Sequence, residues 1–318
     1  MLKIVVLLKQ TFDTEEKIVI KAGTVDENDA KFVINPYDEY ALEEALRQKE
    51  RLSGEVIAIT CGPERAQDAL RTALAIGADE AIRLDSASLP DDSYAIAAVL
   101  AAVIASLSPD LLLAGLFAVD SGAGSVALQI AERLGLPHAS SAVKLTLLSK
   151  DEWAALPAES ALQAAAPSHA ARFALVEGDI EGDTKTVAIP LPAESVLQAA
   201  APLHAERFAL VERDIEGDTE TVVIPLPALI TAQQGLNEPR YPSLPGIMKA
   251  KRKPLRVITP AELISSGALD AASITPRTVR AELLPPPPRA AGKRLSGAPQ
   301  EQAAALVSLL REEAKLPL

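Results

Sequence analysis

Cysteine and histidine are scarce in this chain of 318 residues. The single cysteine, Cys61, excludes an internal disulfide and suits a reducing compartment. Two of the 3 histidines, His169 and His204, occupy equivalent positions in a repeat, so a histidine metal centre has little support. No nucleophile–base pair, catalytic acid or metal-ligand spacing is recognisable, and we therefore predict no catalytic residue and no metal.

An excess of positive charge and a long apolar run are lacking as well. The net charge of −12 argues against general binding of nucleic acid. The longest apolar run, residues 94–107, is too short to cross a bilayer. The first residues, MLKIVVLLKQTFD, have too short an apolar core for a usual signal peptide. We expect a soluble protein of the cytoplasm, or of the mitochondrial matrix in a eukaryote, without direct membrane insertion.

Apolar runs alternate with helical patterns along residues 1–150. The runs predict strands at 3–8, 55–61, 81–84, 110–115 and 140–148. Helices are predicted at 66–76, 92–107 and 121–134, and after Asn35 and Pro36, where Asn35 can cap the helix. Residues 17–21 and 31–34 flank a turn-rich segment and predict a hairpin. The alternation indicates an α/β fold, a largely parallel Rossmann-like sheet flanked by helices, with ligands beyond the carboxyl ends of the strands.

A tandem repeat occupies the middle of the chain. Residues 156–190 and 191–225 align without gaps and differ at six positions. Two copies this similar indicate a recent duplication and not a solenoid, which needs three or more units. A β-rich insertion, residues 151–225, is therefore predicted.

Residues 226–255 combine a buried strand, a proline-rich loop and a basic helix. The strand is predicted at 228–232 and the helix at 246–253. Leu244 lies between Pro242 and Pro245, so its backbone is stiff. A stiff loop that presents one leucine beside a basic turn is typical of a docking surface. The pattern fits equally well a β-to-α connection whose leucine packs into its own core.

These residues resemble the β subunit of electron-transferring flavoproteins. The match includes Asn237 to Tyr241, Leu244-Pro245 and Ile247 to Lys251, which correspond to the recognition loop of that family. Upstream, Arg213 and Glu220 of the second repeat copy fit the family signature, whereas the first copy has Gly178 and Lys185 there. We therefore interpret 156–190 as the extra copy and 191–225 as the signature copy.

The resemblance implies a domain organisation. It implies a nucleotide-binding half at 1–150 with the adenine-nucleotide α-hydrolase type of sheet. The final core strand, recognition loop and helix occupy 226–258, and a C-terminal extension, 259–318, forms an arm and helix that pack on a partner subunit. The residues implied in docking to electron donors are Arg240, Tyr241, Leu244, Pro245, Ile247, Met248 and Lys249.

The loop at 118–127, AVDSGAGSVA, is the best candidate for a small-molecule site. Its small residues leave backbone N–H groups exposed at a helix start, where a phosphate can bind. The alternative is a plain turn capped by Asp120 or Ser121. The resemblance implies an adenine nucleotide here, although Ser121, Gly122 and Ser125 replace the usual acidic residues and glutamine. The implied ligands are Leu7, Lys9, Asn35, Cys61, Asp120, Ser121, Gly122, Ala123, Gly124, Ser125 and Val126.

The resemblance also implies the function. The chain is expected to form a heterodimer with an α subunit that holds most of the FAD site, while the β chain binds AMP. Electrons would pass from acyl-CoA or related dehydrogenases, as in fatty acid oxidation, to a membrane quinone oxidoreductase. One alternative is an electron-bifurcating member with a second FAD in place of AMP. The other is a stand-alone adenine-nucleotide-binding regulator of the universal-stress-protein type.

Overall fold

The computed structural model describes residues 1–21, 23–28, 30–154, 173–180, 183–190, 206–216, 218–284, 292–313 and 315; of 153–154, 173–180 and 183–190 it describes the backbone alone. The four consecutive prolines at 285–288, a pattern that predicts polyproline II, lie outside the described residues. No helix in the described part is long and apolar enough to cross a membrane.

Strands and helices alternate in the first half of the chain, as predicted. The strands are β1 (Leu2–Leu7), β2 (Gln10–Phe12), β3 (Ile20–Lys21), β4 (Thr24–Val25), β5 (Phe32–Ile34), β6 (Gly54–Gly62), β7 (Glu80–Asp85), β8 (Leu111–Gly115), β9 (His138–Ser149), β10 (Phe173–Ile180), β11 (Asp183–Pro190), β12 (Arg207–Ile215), β13 (Asp218–Pro225), β14 (Ala228–Ala232) and β15 (Leu255–Ile258). The α-helices are α1 (Pro36–Leu52), α2 (Gln67–Ile76), α3 (Ser93–Leu107), α4 (Ser125–Leu134), α5 (Lys150–Ala154), α6 (Leu244–Ala250), α7 (Pro260–Ser265) and α8 (Pro299–Glu312).

One sheet of nine strands organises the fold. Its order is β13-β12-β9-β14-β8-β1-β6-β7-β15. The seven strands from β9 to β15 in this order pair in parallel, while β12 runs antiparallel to both β9 and β13. The α/β class and the largely parallel sheet are thus confirmed.

The sheet is buried on both faces because alternate side chains of its central strands point in opposite directions. Ile4 and Val6 of β1 join a core that includes α1 and α2. Val5 and Leu7 join a second core on the other face, formed with α3 and α4. Because helices cover both faces of the sheet, the sequences of its central strands are continuous apolar runs.

The two repeat copies differ in how their strands pair. In the second copy, β12 and β13 form a hairpin that continues the main sheet through β9, from Arg207↔Ser149 onward. Arg213 donates to Glu220 at 2.6 Å and to the Ser140 carbonyl at 2.7 Å. In the first copy, β10 and β11 pair with each other in a separate two-stranded sheet.

The predicted hairpin between 17–21 and 31–34 is wrong. Instead, β5 pairs with β2, and β3 pairs with β4. The aromatic rings explain the choice, because Phe12 and Phe32 lie 4.7 Å apart and the Arg65 guanidinium stacks 3.8 Å from the Phe32 ring. The pairing of β2 with β5 also brings Lys9 next to Asn35.

Two helices begin at other residues than predicted. Helix α4 begins at Ser125 and not at 121, because Ser121 and Gly122 donate their N–H groups to the Ala118 carbonyl in a tight turn. Helix α6 begins at Leu244 and not at 246, because Ser243 accepts the Gly246 N–H and caps it. Leu244 therefore lies on the first turn of a helix.

The chain divides into two compact units. The first comprises residues 1–17 and 27–281 and contains the nine-stranded sheet. The second comprises 18–26 and 282–318 and contains β3, β4 and α8. No residue of α8 is buried, and its Leu306 and Val307 are exposed.

The pairing of the repeats leads to a prediction about deletions. Removing 156–190 should leave the melting temperature nearly unchanged, because β12 and β13 stay in the main sheet and longer connections cost little loop entropy. Removing 191–225 is the matched control, since it leaves a copy with Gly178 and Lys185 in place of Arg213 and Glu220. That control should melt several degrees lower, as it lacks the ion pair and has glycine in a strand. Thermal melts of both variants test this, and the opposite order would make the first copy the structural one.

Candidate functional site

Asp38 is the buried centre of the polar groups at the carboxyl ends of the central strands. Its Oδ2 accepts the Lys9 N–H, just after β1, at 2.6 Å. Its Oδ1 accepts the N–H of Gly115, the last residue of β8, at 3.0 Å, and the Asn35 side-chain amide at 3.0 Å. Gly115 has to be glycine here, because a Cβ would lie 2.2 Å from Oδ1. One carboxylate thus ties two neighbouring strands to the start of α1.

Asn35 bridges to the candidate phosphate loop. Its amide donates to the Phe117 carbonyl at 2.9 Å, and its Oδ1 accepts the Val119 N–H at 3.1 Å. The expectation that its side chain caps α1 is wrong, because Asp38 and the loop use its polar atoms and α1 has no side-chain cap bond. Asp38 itself was missed by sequence reasoning; the one available signal was a carboxylate three residues after an Asn-Pro helix start.

Burial raises the pKa of Asp38 to about 7, although hydrogen bonds from Asn35, Lys9 and Gly115 and the Lys9 charge lower it. The cost of removing a carboxylate from water is the dominant effect. Asp38 therefore takes up a proton at a pH far above 3.8, the ordinary pKa of an aspartate.

The loop that was predicted as a phosphate cradle is partly closed on itself. The Ser121 and Gly122 N–H groups donate to the Ala118 carbonyl at 3.3 and 2.8 Å, and Ala118 donates to the Ala123 carbonyl at 3.0 Å. Asp120 pairs with the Lys9 ammonium at 2.7 Å and accepts the Ser121 hydroxyl at 2.8 Å. The structure therefore brings Lys9, Asp120 and Ser121 together at the mouth of the loop.

The start of α4 has no side-chain cap. Gly124 is its N-cap residue and provides no side-chain acceptor for the first-turn N–H groups. The Ser125 hydroxyl accepts the Gln129 side-chain amide at 3.2 Å, and the same amide lies 3.3 Å from the Ser93 hydroxyl of α3. Gln129 was missed by sequence reasoning because it lies one helical turn after the loop.

The apolar residues predicted for the site lie on one face of the sheet. Leu7 is buried in the core on the α3 and α4 face, and Cys61 and Val126 pack against it. Burial raises the pKa of the Cys61 thiol to about 12, with Asp85 adding to the effect. Cys61 is thus a packing residue without nucleophilic character.

The polar groups of this loop suit a phosphate-bearing ligand. The uncapped start of α4 and the Lys9 ammonium suit a phosphate, and a side chain at Gly122 would meet nothing within 4 Å, so the loop has room beside it. The Asp120 carboxylate opposes the negative charge of a phosphate, but its pairing with Lys9 offsets that repulsion. Leu7, Cys61 and Val126 supply apolar surface.

Residues 240–250, the docking segment, carry an exposed apolar patch. Tyr241 is 93% exposed, Leu244 80% and Met248 65%. Pro245 and Ile247 are exposed too. The alternative that Leu244 packs into its own core is wrong, since its side chain lies almost fully in solvent. Large apolar side chains gathered this way on a surface mark an interaction site.

Basic residues border this apolar patch on a chain whose net charge is −12. Lys249, Lys251 and Arg252 are exposed. Lys253 instead turns inward and donates to the Leu74 and Ala78 carbonyls at 3.0 and 2.6 Å. Three exposed positive groups thus lie together at the end of α6.

Arg240 is the one predicted docking residue whose side chain turns toward its own chain. Its guanidinium contacts Glu43 and Glu50 of α1 at distances from 2.5 to 3.2 Å. Glu43 is only 3% exposed.

Comparison with known proteins agrees with the fold. A sequence profile described as the electron transfer flavoprotein domain matches residues 22–173. The chain is 40% identical to the electron transfer flavoprotein subunit beta of Bacillus subtilis (strain 168) over 313 residues, which covers 98% of each protein. It is 31% identical to the subunit beta of Syntrophomonas wolfei over 316 residues, 99% of this chain and 98% of that one. The human subunit beta is 30% identical over 269 residues, 82% of this chain and 83% of that one.

The fold and the matched profile define an α/β protein of the electron transfer flavoprotein class. More particularly, the identity extends over nearly the whole of both chains, and the protein belongs to the electron transfer flavoprotein subunit beta family.

Asp38 makes the stability of the fold depend on pH. The pKa of Asp38 is about 7 in the folded chain and near 3.8 in the unfolded chain. Between pH 3.8 and 7 the folded state therefore holds a proton that the unfolded state has lost. The resulting stabilisation is fully present below pH 3.8 and is lost as the pH rises through about 7. Relative to an Asp38→Asn control, the free energy of unfolding should fall by about 2–3 kcal/mol between pH 5 and 7.5. Urea unfolding at both pH values measures it, and parallel pH profiles of the two proteins would contradict it.

Proposed function

We propose that this chain is the β subunit of a heterodimeric electron carrier and not an enzyme in its own right. The α subunit holds most of the FAD, which accepts and passes on the electrons. Acyl-CoA or related dehydrogenases donate them, and a membrane quinone oxidoreductase takes them up. The observation that carries the proposal is the exposed docking segment, which a stand-alone nucleotide-binding regulator has no reason to keep.

The electron donor we propose presents an apolar pocket with an acidic rim. The pocket takes Leu244, which is exposed on the first turn of α6 and followed by the rigid Pro245. The acidic rim is argued from charge, since Lys249, Lys251 and Arg252 border the patch on a chain of net charge −12. Such pairs act mainly on the association rate and on orientation.

The division of the chain follows from this assignment. Residues 1–150 are the nucleotide-binding half, 156–190 the extra repeat copy, and 226–258 the final core strand followed by the recognition loop and helix, which dock to the dehydrogenase. Residues 259–318 pack on the α subunit, which covers the exposed Leu306 and Val307 of α8. The single cysteine agrees with the cytoplasm, or the mitochondrial matrix in a eukaryotic host.

AMP is the nucleotide we assign to the β chain. The start of α4 and Lys9 hold its phosphate, and Leu7, Cys61 and Val126 line its adenosine part. Asn35 and Asp38 act indirectly, since they position the loop and the strand ends. A second FAD at this place is the bifurcating alternative, which the nucleotide released on denaturation distinguishes.

Gly124 tests the nucleotide site. In the purified heterodimer, Gly124→Asp should lower the bound nucleotide about tenfold, because a carboxylate then lies where the phosphate binds. Gly124→Ala is the matched control, as both variants place a Cβ 3.0 Å from the Leu116 carbonyl but only one adds charge. Chromatography of the released nucleotide gives amount and identity. Full nucleotide content in the Asp variant would make the loop a plain turn.

Leu244 tests the docking role. In the heterodimer, Leu244→Ala should leave the melting temperature and the flavin spectrum unchanged, since the side chain is exposed. Reduction by the dehydrogenase at low concentration should slow about thirtyfold, because an apolar anchor in a partner pocket contributes about 2 kcal/mol.

Stopped-flow reduction measures this rate, and Leu244→Met, which keeps an apolar anchor, should stay close to the wild type. A stable Leu244→Ala heterodimer reduced at the wild-type rate would exclude the docking role.

A further inference from the structure

The start of the docking segment is fastened to α1 by a network around Arg240. The Arg240 Nε and Nη2 atoms donate to the two oxygens of Glu43 at 2.8 and 3.2 Å. Nη1 and Nη2 also donate to the two oxygens of Glu50 at 2.5 and 3.1 Å. The Arg240 backbone N–H contacts Glu43 as well, at 3.3 Å. Two carboxylates thus each bind the planar guanidinium through two hydrogen bonds. This bidentate geometry fixes the orientation of the Arg240 side chain.

The residues before Arg240 are tied to the same helix. The Asn237 side-chain amide donates to the Tyr40 carbonyl at 3.0 Å and to Glu44 at 3.2 Å. Arg47 donates to the Glu238 carbonyl at 3.3 Å and to Glu43 at 2.7 Å. Residues 237–240 therefore follow α1 closely.

The far end of the docking segment is held by α2. Arg71 donates to the Ala250 carbonyl at 2.8 Å. A Cβ at Gly246 would lie 2.3 Å from the Ala75 carbonyl, so α6 approaches α2 as closely as a glycine allows. The exposed apolar side chains thus lie between two fixed ends.

We propose that Arg240 is a positioning residue that sets the orientation of the docking segment through Glu43 and Glu50, and does not itself contact the electron donor. This rests on the docking role proposed above. Two carboxylates already neutralise its charge, so Arg240 offers little attraction to an acidic partner. A segment already ordered before binding loses less entropy when Leu244 enters a pocket.

The ionisation of the network supports this arrangement at neutral pH. Burial raises the pKa of Glu43, but hydrogen bonds from Arg240 and Arg47 outweigh it and lower the pKa overall. The hydrogen bonds from Arg240 also lower the pKa of Glu50. Both carboxylates are therefore charged at neutral pH, and a buried Glu43 left without Arg240 would be costly.

A double-mutant cycle in the intact heterodimer tests the proposal. Arg240→Gln alone should raise the KM for the dehydrogenase about fivefold to tenfold with kcat and flavin spectrum unchanged. When Arg240→Gln is combined with Leu244→Ala, KM should rise little further, because the side chain that Arg240 positions is already absent. Lys249→Gln is the control for one lost positive charge; its effect should weaken with salt and add fully to that of Leu244→Ala.

Several outcomes would overturn the proposal. Full additivity of Arg240→Gln and Leu244→Ala would make Arg240 a direct contact, and an unchanged KM in Arg240→Gln would remove its role while leaving that of Leu244. If Arg240→Gln does not fold, Glu50→Gln serves in its place, since it keeps the Glu43 contact; it should raise KM less and show the same non-additivity. A normal KM in Leu244→Ala would instead overturn the docking function itself.

Discussion

Three N–H donors converge on the buried carboxylate of Asp38, and the arrangement of both candidate sites depends on this interaction. The donors come from the ends of two adjacent parallel strands and from Asn35 at the start of α1. A carboxylate in this position is expensive to bury, which is why its pKa rises to about 7. The hydrogen bonds offset that cost and in return define where the strands end, where α1 begins and, through Asn35, how the loop at 117–119 runs.

Helix α1 extends this constraint to the docking segment. Its first turn carries Asp38, and its later turns present Tyr40, Glu43, Glu44 and Glu50 to residues 237–240. One helix is therefore linked at its start, through Asn35, to the loop at 117–119 and along its side to residues 237–240. For the proposed electron carrier, this arrangement favours a reproducible approach to its partners.

The proposed nucleotide site and the proposed docking segment depend on different parts of the chain, the first on backbone groups and the second on side chains. The proposed nucleotide site relies on backbone N–H groups and small residues, and the Gln129 amide one turn later donates to the Ser125 hydroxyl. The proposed docking role depends on exposed apolar side chains, namely Tyr241, Leu244 and Met248.

The α/β class, the parallel sheet and the family were determined by the sequence alone, because buried parallel strands read as apolar runs of fixed spacing and the recognition loop has a specific pattern. The exposure of Leu244 and the inward turn of Arg240 were decided by the tertiary structure. Neighbouring prolines show that a backbone is stiff, but only the position of α1 shows whether a charge finds partners. Likewise, the local sequence pattern predicted a hairpin between 17–21 and 31–34. The contact of Phe12 with Phe32 instead favours the pairing of β2 with β5. Long-range contacts of this kind leave no local signal in the chain.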